Sequence, residues 1–388
     1  MYKTTLGVHD PTIIYNQDNQ SYYMFSTDTE INGAMTLGIQ IRKSKDLKEW
    51  DYLHTALEGI PTTVFDYTNP SNLWAPEVIA YKDGYRMYYS ASIFGTNKSC
   101  INLAEANTPE GPWIDRGLVI ATHPDKDEQN AIDANLLYDK EGQLWMVYGS
   151  FFSGIYIVRM DEESGLILEE GDIGICIANR SINVEGAIEG PFIYYNKEQD
   201  YYYLFVSYDF LGKSYNVRTA RSKNIQGPYL DYHGLDMFED KVKPHQHGLK
   251  LLGSYKMEDE VNWTSIGHNS ILDKNGIQYM VAHSRINHQH HPHYAYIRPL
   301  LWLESGWPVC ALHEPIEILD LNLNGLVVSG VVFDPVSWDS MMEQEFKITH
   351  FYDVVTYQCN LENGKKVIGV SGINDQGHVF MAYLKESL

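Results

Sequence analysis

Residues 187–193 read Ala-Ile-Glu-Gly-Pro-Phe-Ile and place one carboxylate, Glu189, between an apolar approach and a Gly-Pro turn. Aromatic residues follow, then the polar turn 196–200, then a second aromatic stretch at 201–206. This order is typical of two strands joined by a tight turn, with Glu189 at the start of the first strand. Apolar neighbours disfavour the charged form of a carboxylate and raise its pKa, which suits a general acid near neutral pH. A solvated surface glutamate is the alternative for any single copy of this pattern.

The same arrangement occurs at four other places in the chain. Each copy begins with a polar residue, crosses an apolar strand, turns on Asp, Asn or Gly, and returns on an aromatic strand. The five leading residues are Asp10, Glu77, Asp133, Glu189 and His268. Strand units repeated at intervals of roughly 56 to 79 residues are typical of propeller blades with about four strands each. The sequence therefore predicts an all-β fold that contains a five-bladed β-propeller.

The repeats stop near Pro315, and short strand-like segments continue to the C-terminus. We expect a propeller catalytic domain at 1–314 and a small β-barrel or β-sandwich accessory domain at 315–388. Between the fourth and fifth repeats the chain carries about twenty additional residues, within 232–262, which we interpret as a surface insertion.

Composition restricts the class of partner. The 51 acidic and 29 basic residues give a net charge of −22, which disfavours binding to nucleic acid or to anionic membranes. The four cysteines are far apart and form no CxxC pair, so we expect buried thiols. No apolar run reaches the length of a membrane span, and the N-terminus lacks the apolar core of a secretion signal. The chain is thus expected to be cytoplasmic, or secreted if it is a processed mature form.

Residues at the starts of the innermost propeller strands converge at one end of the central channel. Four converging carboxylates repel one another and lose hydration, so a functional reason for their placement is expected. Two opposed carboxylates are the chemical requirement of glycoside cleavage, in which one protonates the leaving oxygen and the other activates water.

Four motifs together resemble those of glycoside hydrolase family 43, whose members are five-bladed β-propellers. The motifs are His-Asp-Pro at Asp10, Ile-Asp-Ala-Asn at Asp133, Glu-Gly-Pro-Phe at Glu189 and Gly-His-Asn at His268. The segments 144–151, 203–208 and 306–309 resemble those of the endo-α-1,5-L-arabinanases within this family. The resemblance covers about residues 7–312.

The resemblance implies a role for each motif residue. Asp10 would be the general base, Glu189 the general acid, and Asp133 the residue that orients the acid and tunes its pKa. The family inverts the anomeric centre, so the carboxyl groups of Asp10 and Glu189 are expected about 6.5–9.5 Å apart. His268 would lie beside a calcium ion that is otherwise held mainly by water. A histidine that hydrogen-bonds a carboxylate directly, without metal, is the alternative for this position.

Other residues are candidates for substrate contact. Trp74 and Phe151 flank leading residues and could stack on furanose rings, or they could be core aromatics. Ser150 lies in a small-residue turn expected beside Asp133, and Glu77 is expected with the other carboxylates; both are predicted to bind substrate. The histidine-rich run Asn287–His293 lacks an acidic or cysteine partner at a recognisable spacing, so we interpret it as a solvated loop rather than a metal site.

Three functional hypotheses remain open from the sequence. The first is an endo-acting arabinan hydrolase that binds arabinan or arabino-oligosaccharides in an open groove. The second is an exo-acting α-L-arabinofuranosidase or β-xylosidase, in which the insertion or the histidine-rich loop closes one end of the groove. The third is a non-catalytic glycan-binding propeller. Retention of Asp10, Asp133 and Glu189 together argues against the third.

Overall fold

The computed structural model describes residues 2–31, 33–238, 243–258, 260–289 and 292–385. Within these ranges the regular structure is almost entirely β-strand, which confirms the all-β prediction. The helical segments are three short 3-10 turns, at Tyr2–Thr5, Thr62–Asp66 and Ile182–Val184. None of the described helices is long and apolar enough to span a membrane.

The first four sheets follow one another along the chain, and each contains four antiparallel strands. The first sheet pairs its strands in the order β1-β2-β5-β6, with the small hairpin β3-β4 between β2 and β5. The other three sheets pair consecutive strands. The bounds are β1 (Thr12–Asn16), β2 (Ser21–Ser26), β3 (Glu30–Ile31), β4 (Ala34–Met35), β5 (Gln40–Ser44), β6 (Asp51–Thr55), β7 (Trp74–Tyr81), β8 (Gly84–Ser92), β9 (Ser99–Ala106), β10 (Ile114–Thr122), β11 (Asn135–Tyr138), β12 (Leu144–Tyr148), β13 (Ile155–Arg159), β14 (Ile175–Ala178), β15 (Ile188–Asn196), β16 (Tyr201–Tyr208), β17 (Asn216–Ser222) and β18 (Leu249–Leu252).

Two six-stranded sheets complete the chain. The fifth sheet has the order β23-β22-β21-β20-β19-β26, and the sixth has the order β24-β28-β29-β30-β25-β27. Their bounds are β19 (Tyr255–Lys256), β20 (Trp263–Lys274), β21 (Ile277–Ile286), β22 (Tyr294–Trp302), β23 (Pro308–Cys310), β24 (Glu317–Leu319), β25 (Val327–Val332), β26 (Met341–Met342), β27 (Gln344–Lys347), β28 (Asp353–Asn360), β29 (Lys366–Ile373) and β30 (Val379–Leu384).

The first strands of the first four sheets and the β20 strand of the fifth contact one another in a cycle. β1 contacts β7, β7 contacts β11, β11 contacts β15, β15 contacts β20, and β20 contacts β1. The hydrophobic cores follow the same cycle, because each of five buried clusters contains residues from two neighbouring sheets. The cluster that joins the fifth sheet to the first contains Ile13, Met24, Leu272 and Val281. Burial of apolar surface between sheets thus links the end of the cycle to its beginning.

The sixth sheet packs against the fifth. Val331, Phe333 and Tyr357 belong to the same buried core as Tyr255 and Trp263. β26, which comes from the C-terminal part of the chain, pairs in parallel with β19 of the fifth sheet. The two parts of the chain therefore share both a core and a sheet.

The segment predicted to be a surface insertion has a different role. Residues 239–242 and 259 lie outside the described residues, but the remainder of 232–262 supplies β18 and β19. Leu249, Leu251 and Tyr255 are buried in the core between the fourth and fifth sheets. The insertion prediction was wrong here because a short strand carries too few residues for its alternation to be recognised.

The four cysteines are free thiols, and Cys100, Cys310 and Cys359 are buried as expected. Cys176 is partly exposed.

Candidate active site

The strands that converge in the cycle share a backbone irregularity at their starts. Asp10, Ala75, Asp133, Gly190 and His268 all have positive φ, at 48°, 38°, 61°, 56° and 49°. In each repeat the regular ladder begins two residues later, at the pairs Thr12↔Phe25, Glu77↔Tyr88, Asn135↔Val147, Phe192↔Phe205 and Ser270↔Val281. An irregularity of this kind redirects side chains at the end of a sheet, so two successive residues of a repeat can face the same space.

This strand pairing shows that the five leading residues predicted from the sequence do not all occupy equivalent positions in their repeats. Asp10, Asp133 and His268 occupy equivalent positions, as predicted. Glu189 comes one residue before the positive-φ position of its repeat, and Glu77 comes two residues after it. The difference matters because side chains alternate along a strand and lie at different depths.

Side chains on the neighbouring repeat accept the N–H groups of these positive-φ residues. Thr27 Oγ1 accepts from Ala75 at 2.7 Å, and Ser90 Oγ accepts from Asp133 at 3.0 Å. Ser207 Oγ accepts from His268 at 2.7 Å, and His283 Nδ1 accepts from Asp10 at 3.2 Å. In the remaining repeat the Asp133 carboxylate itself accepts from Gly190, at 3.2 Å. Left-handed backbone at non-glycine residues costs about 1–3 kcal/mol each, and these hydrogen bonds offset part of that cost.

A cavity of about 420 Å³ opens at this end of the strands. Five predicted site residues line it: Asp10, Trp74, Asp133, Glu189 and His268. Residues that the sequence prediction missed also line it, including His9, Thr27, Asp28, Phe94, Leu211, Tyr215, His283, Arg285 and His293.

Asp10 is 8% exposed and is surrounded by histidines. Its Oδ1 lies 3.1 Å from His268 Nδ1, and its Oδ2 lies 2.8 Å from His9 Nδ1 and accepts from Thr27 Oγ1 at 2.7 Å. Burial raises the pKa of Asp10, but electrostatic interactions with His268 and His9 outweigh burial and hold this pKa well below its usual range. The Asp10 carboxylate is therefore ionised at neutral pH and can accept a proton.

Glu189 has the opposite electrostatic environment. It accepts a hydrogen bond from Ser150 Oγ at 3.1 Å and is also hydrogen-bonded to Tyr215. Burial raises the pKa of Glu189, and the contributions of Tyr215, His268 and Ser150 reduce this rise without cancelling it. A carboxyl group that holds its proton to higher pH can donate it to a leaving group.

Asp133 interacts electrostatically with both Asp10 and Glu189. Burial and the negative charges of Glu189 and Asp10 raise the pKa of Asp133 well above its usual range, against the opposing hydrogen bond from Gly190. Asp133 and Glu189 thus interact across the turn at Gly190, and their protons are shared by the pair rather than assigned independently.

Three residues predicted to bind substrate do not line the cavity within the part of the chain that the structure describes. The Glu77 carboxylate accepts from Thr12 Oγ1 at 2.8 Å and from Asn135 Nδ2 at 2.7 Å, so it joins β1, β7 and β11. Burial raises the pKa of Glu77 to about 7. Ser150 contacts Glu189. Phe151 is half-buried, and its N–H donates to Ile188 O. Glu77 therefore connects neighbouring strands, and Ser150 orients Glu189 through its hydrogen bond.

The histidine-rich run is partly a solvated loop, as expected, but its end is buried. Asn287 and His288 are exposed, and His290 and His291 lie outside the described residues. His293 is buried, its Nε2 lies 2.9 Å from Arg285 Nη2, and its ring contacts the edge of His9. His293 therefore supports the histidines around Asp10.

Several site residues that the sequence prediction missed share one position within the repeats. Thr27, Ser207 and His283 all lie at the end of the second strand of a repeat, opposite the leading residue. A search restricted to the first strand of each repeat does not find them. Tyr215 precedes β17 and reaches Glu189 only through the fold.

An open cavity that holds one carboxyl group with a lowered pKa and one with a raised pKa fits the base and the acid of a glycoside hydrolase of the two-carboxylate type. Residues 5–308 match glycosyl hydrolases family 43. The chain belongs to this family.

Several relatives carry the names of α-(1→5)-L-arabinanases or of an α-(1→5)-L-arabinofuranosidase. The chain is 33% identical to the extracellular endo-α-(1→5)-L-arabinanase of Thermotoga petrophila, over 78% of this chain and 70% of that protein. It is 32% identical to the extracellular exo-α-(1→5)-L-arabinofuranosidase ArbA of Cellvibrio japonicus, over 78% of this chain and 86% of that protein. The crystal structure of endo-1,5-α-L-arabinanase from Thermotoga petrophila superposes with a TM-score of 0.85 at 27% identity, covering 98% of this chain and 99% of that one.

Proposed function

We propose that this chain is an endo-acting α-1,5-L-arabinanase that hydrolyses arabinan with inversion at the anomeric carbon. The opposite pKa shifts of Asp10 and Glu189 in one cavity carry the proposal, because they supply a base and an acid at the same pH. The names of the family relatives support arabinan or arabino-oligosaccharides as the substrate.

The proposed reaction is a single displacement. Glu189 donates its proton to the glycosidic oxygen as the bond from that oxygen to the anomeric carbon breaks. Asp10 removes a proton from a water molecule, whose oxygen attacks the same carbon from the opposite face. Asp133 accepts the N–H of Gly190, and repulsion between two neighbouring negative charges keeps a proton on the pair of Asp133 and Glu189, which Glu189 can donate. Proton exchange with solvent then restores both carboxyl groups.

The architecture that positions these groups is, in this proposal, a five-bladed β-propeller at residues 1–314 with an accessory β-domain at 315–388. Three features support it: the cycle of strand contacts, the five cores between neighbouring sheets, and the hydrogen bond from Asp10 N–H to His283, which joins the first repeat to the fifth.

Product analysis on debranched arabinan tests the function. An endo-acting enzyme releases a range of oligosaccharides early in the reaction, and proton NMR of the first products shows β-configured reducing ends if the enzyme inverts the α-linkage. Release of arabinose alone would instead assign exo action. Binding without hydrolysis would assign a glycan-binding propeller.

Replacement of Asp133 by asparagine tests its tuning role. The variant removes the carboxyl group that shares protons with Glu189 and repels its ionised form, so the alkaline limb of the kcat/KM profile should move to lower pH. We expect activity about tenfold or more below wild type, a smaller loss than removal of the general acid itself would cause. Asp83→Asn, a change in the exposed turn between β7 and β8, is the matched control. A wild-type rate with an unchanged profile would make Asp133 structural.

We further propose that a hydrated divalent cation, calcium, lies beside His268. The donor set fits a mostly water-bound ion: Nδ1 of His268 faces Asp10, so the other ring nitrogen, Nε2, is the atom that would hold the cation. Calcium prefers oxygen ligands, and water would complete its shell. When bound, the ion would supply positive charge that offsets repulsion among Asp10, Asp133 and Glu189.

Metal analysis of the purified protein tests the cation. About one calcium per chain, loss of activity on chelation and recovery on calcium addition are expected. Full activity in metal-free protein would favour the alternative, in which His268 acts only through its direct contact with Asp10.

A further inference from the structure

Trp338 is an exposed tryptophan in a chain that buries most of its tryptophans. All eight lie within the described ranges, and Trp338 is the one that is classed as exposed, at 54%. Its neighbour Val336 is 52% exposed. An aromatic ring on the surface can bind a ligand if the surrounding structure holds it in place.

The segment that carries Trp338 is fixed to the fourth sheet by two buried cations. Lys250 Nζ donates to Asp334 O at 3.0 Å and to Ser337 O at 2.8 Å. Arg218 Nη2 donates to Pro335 O at 2.6 Å. Buried charges are costly unless they are hydrogen-bonded, so these contacts hold residues 334–337 in one place. Trp338 is therefore presented by a preorganised segment rather than by an unconstrained loop.

Hydrogen bonds connect this segment to a loop that contributes to the cavity. Met341 N–H donates to Ser254 O at 2.8 Å, and Ser254 Oγ donates to Lys213 O at 3.4 Å. Lys213 belongs to the loop between β16 and β17, and Leu211 of that loop lines the cavity. Phe210, next to Leu211, is 59% exposed.

A second set of contacts leads from Trp338 to the strand of the acid. The Trp338 ring packs edge-on against His245, with ring centroids 5.0 Å apart. Arg180 Nη2 lies 3.3 Å from His245 Nδ1, and Arg180 Nη1 donates to Ala187 O at 2.9 Å. Ala187 is two residues before Glu189. Two independent routes thus connect the Trp338 segment to the rim of the cavity.

We propose that Trp338 is a distal sugar-binding platform, which the C-terminal part of the chain adds to the substrate face. It would bind the arabinan chain beyond the cavity, and the exposed ring of Phe210, next to Leu211 at the cavity, would be a second apolar contact. The proposal rests on the proposed arabinanase function. The rings offer apolar surface to the C–H face of a sugar, and the net charge of −22 favours a neutral chain over an anionic one.

Steady-state kinetics of Trp338→Ala on a long and a short substrate test the platform. On debranched arabinan we expect KM to rise about 3- to 10-fold, in the range that one aromatic contact provides. On arabinotriose, which is too short to extend beyond the cavity, kcat/KM should stay within about twofold. Trp338→Phe keeps a ring and should recover most of the affinity for arabinan.

Phe351→Ala is the matched control. Phe351 is 70% exposed in the same C-terminal region, but Asp353, two residues later, accepts from Ser305 N–H in the turn after β22, at the end of the fifth sheet remote from His268. It should leave both substrates unaffected. Equal KM values for wild type and Trp338→Ala on arabinan would overturn the platform, as would equal losses on arabinotriose or in Phe351→Ala. If wild-type protein cleaves no arabinan, the proposed function fails instead, which is a separate result.

Discussion

The Glu189→Ala variant is expected to lose activity on arabinan by about 10²–10⁴-fold, the contribution typical of a general acid. Its loss on an aryl α-L-arabinofuranoside with a good leaving group should be much smaller. An arabinan leaving group is a sugar alkoxide that must be protonated as it departs, whereas a stable phenolate departs with little assistance. The measurement is kcat/KM on both substrates, and the ratio of the two losses is the diagnostic quantity.

One variant controls for indirect effects at this site. Ser150→Ala removes a hydrogen bond from Glu189 but leaves the carboxyl group, so it should produce a smaller loss. Because the Ser150 bond favours the ionised form, its removal should also move the alkaline limb to higher pH. Equal losses of Glu189→Ala on arabinan and on the aryl substrate would remove Glu189 from the acid role.

The Asp10→Asn variant is expected to lose about 10²–10⁴-fold on both kinds of substrate. A base that activates water is needed whatever the leaving group, so the loss should not depend on the aglycone. The substitution keeps the shape of the side chain and can keep the contact with Thr27. Kinetics on arabinan and on the aryl substrate, with circular dichroism to confirm folding, provide the measurement.

Asp18→Asn is the control for Asp10, because Asp18 is exposed in the turn at the other end of β1. It should behave as wild type. If Asp10→Asn were to retain more than about a tenth of wild-type activity, the base would have to be sought elsewhere, since general base catalysis contributes at least about 10²-fold.

The sequence by itself determined the fold class and the candidate catalytic residues. Alternating apolar strands and turns on Asp, Asn and Gly are local patterns, so the repeats predicted the β-strands on each side of Glu189 and Asp133. The motif resemblance to family 43 added roles for these residues; the family match confirmed membership of the family, and the roles stay predictions. Segments with weak local patterns, such as Leu249–Leu252, were misjudged because their pairing partners determine their structure.

Only the tertiary structure decided which residues meet. Glu77 and Glu189 look equivalent in sequence, yet Glu189 lines the cavity while Glu77 joins three strands, because the positive-φ position shifts their register differently. His283 meets Asp10 across 273 residues of chain, and Trp338 reaches His245 from the C-terminal part. Such contacts depend on how separate sheets pack, and a local hydrophobic pattern carries no information about the distance between two remote side chains.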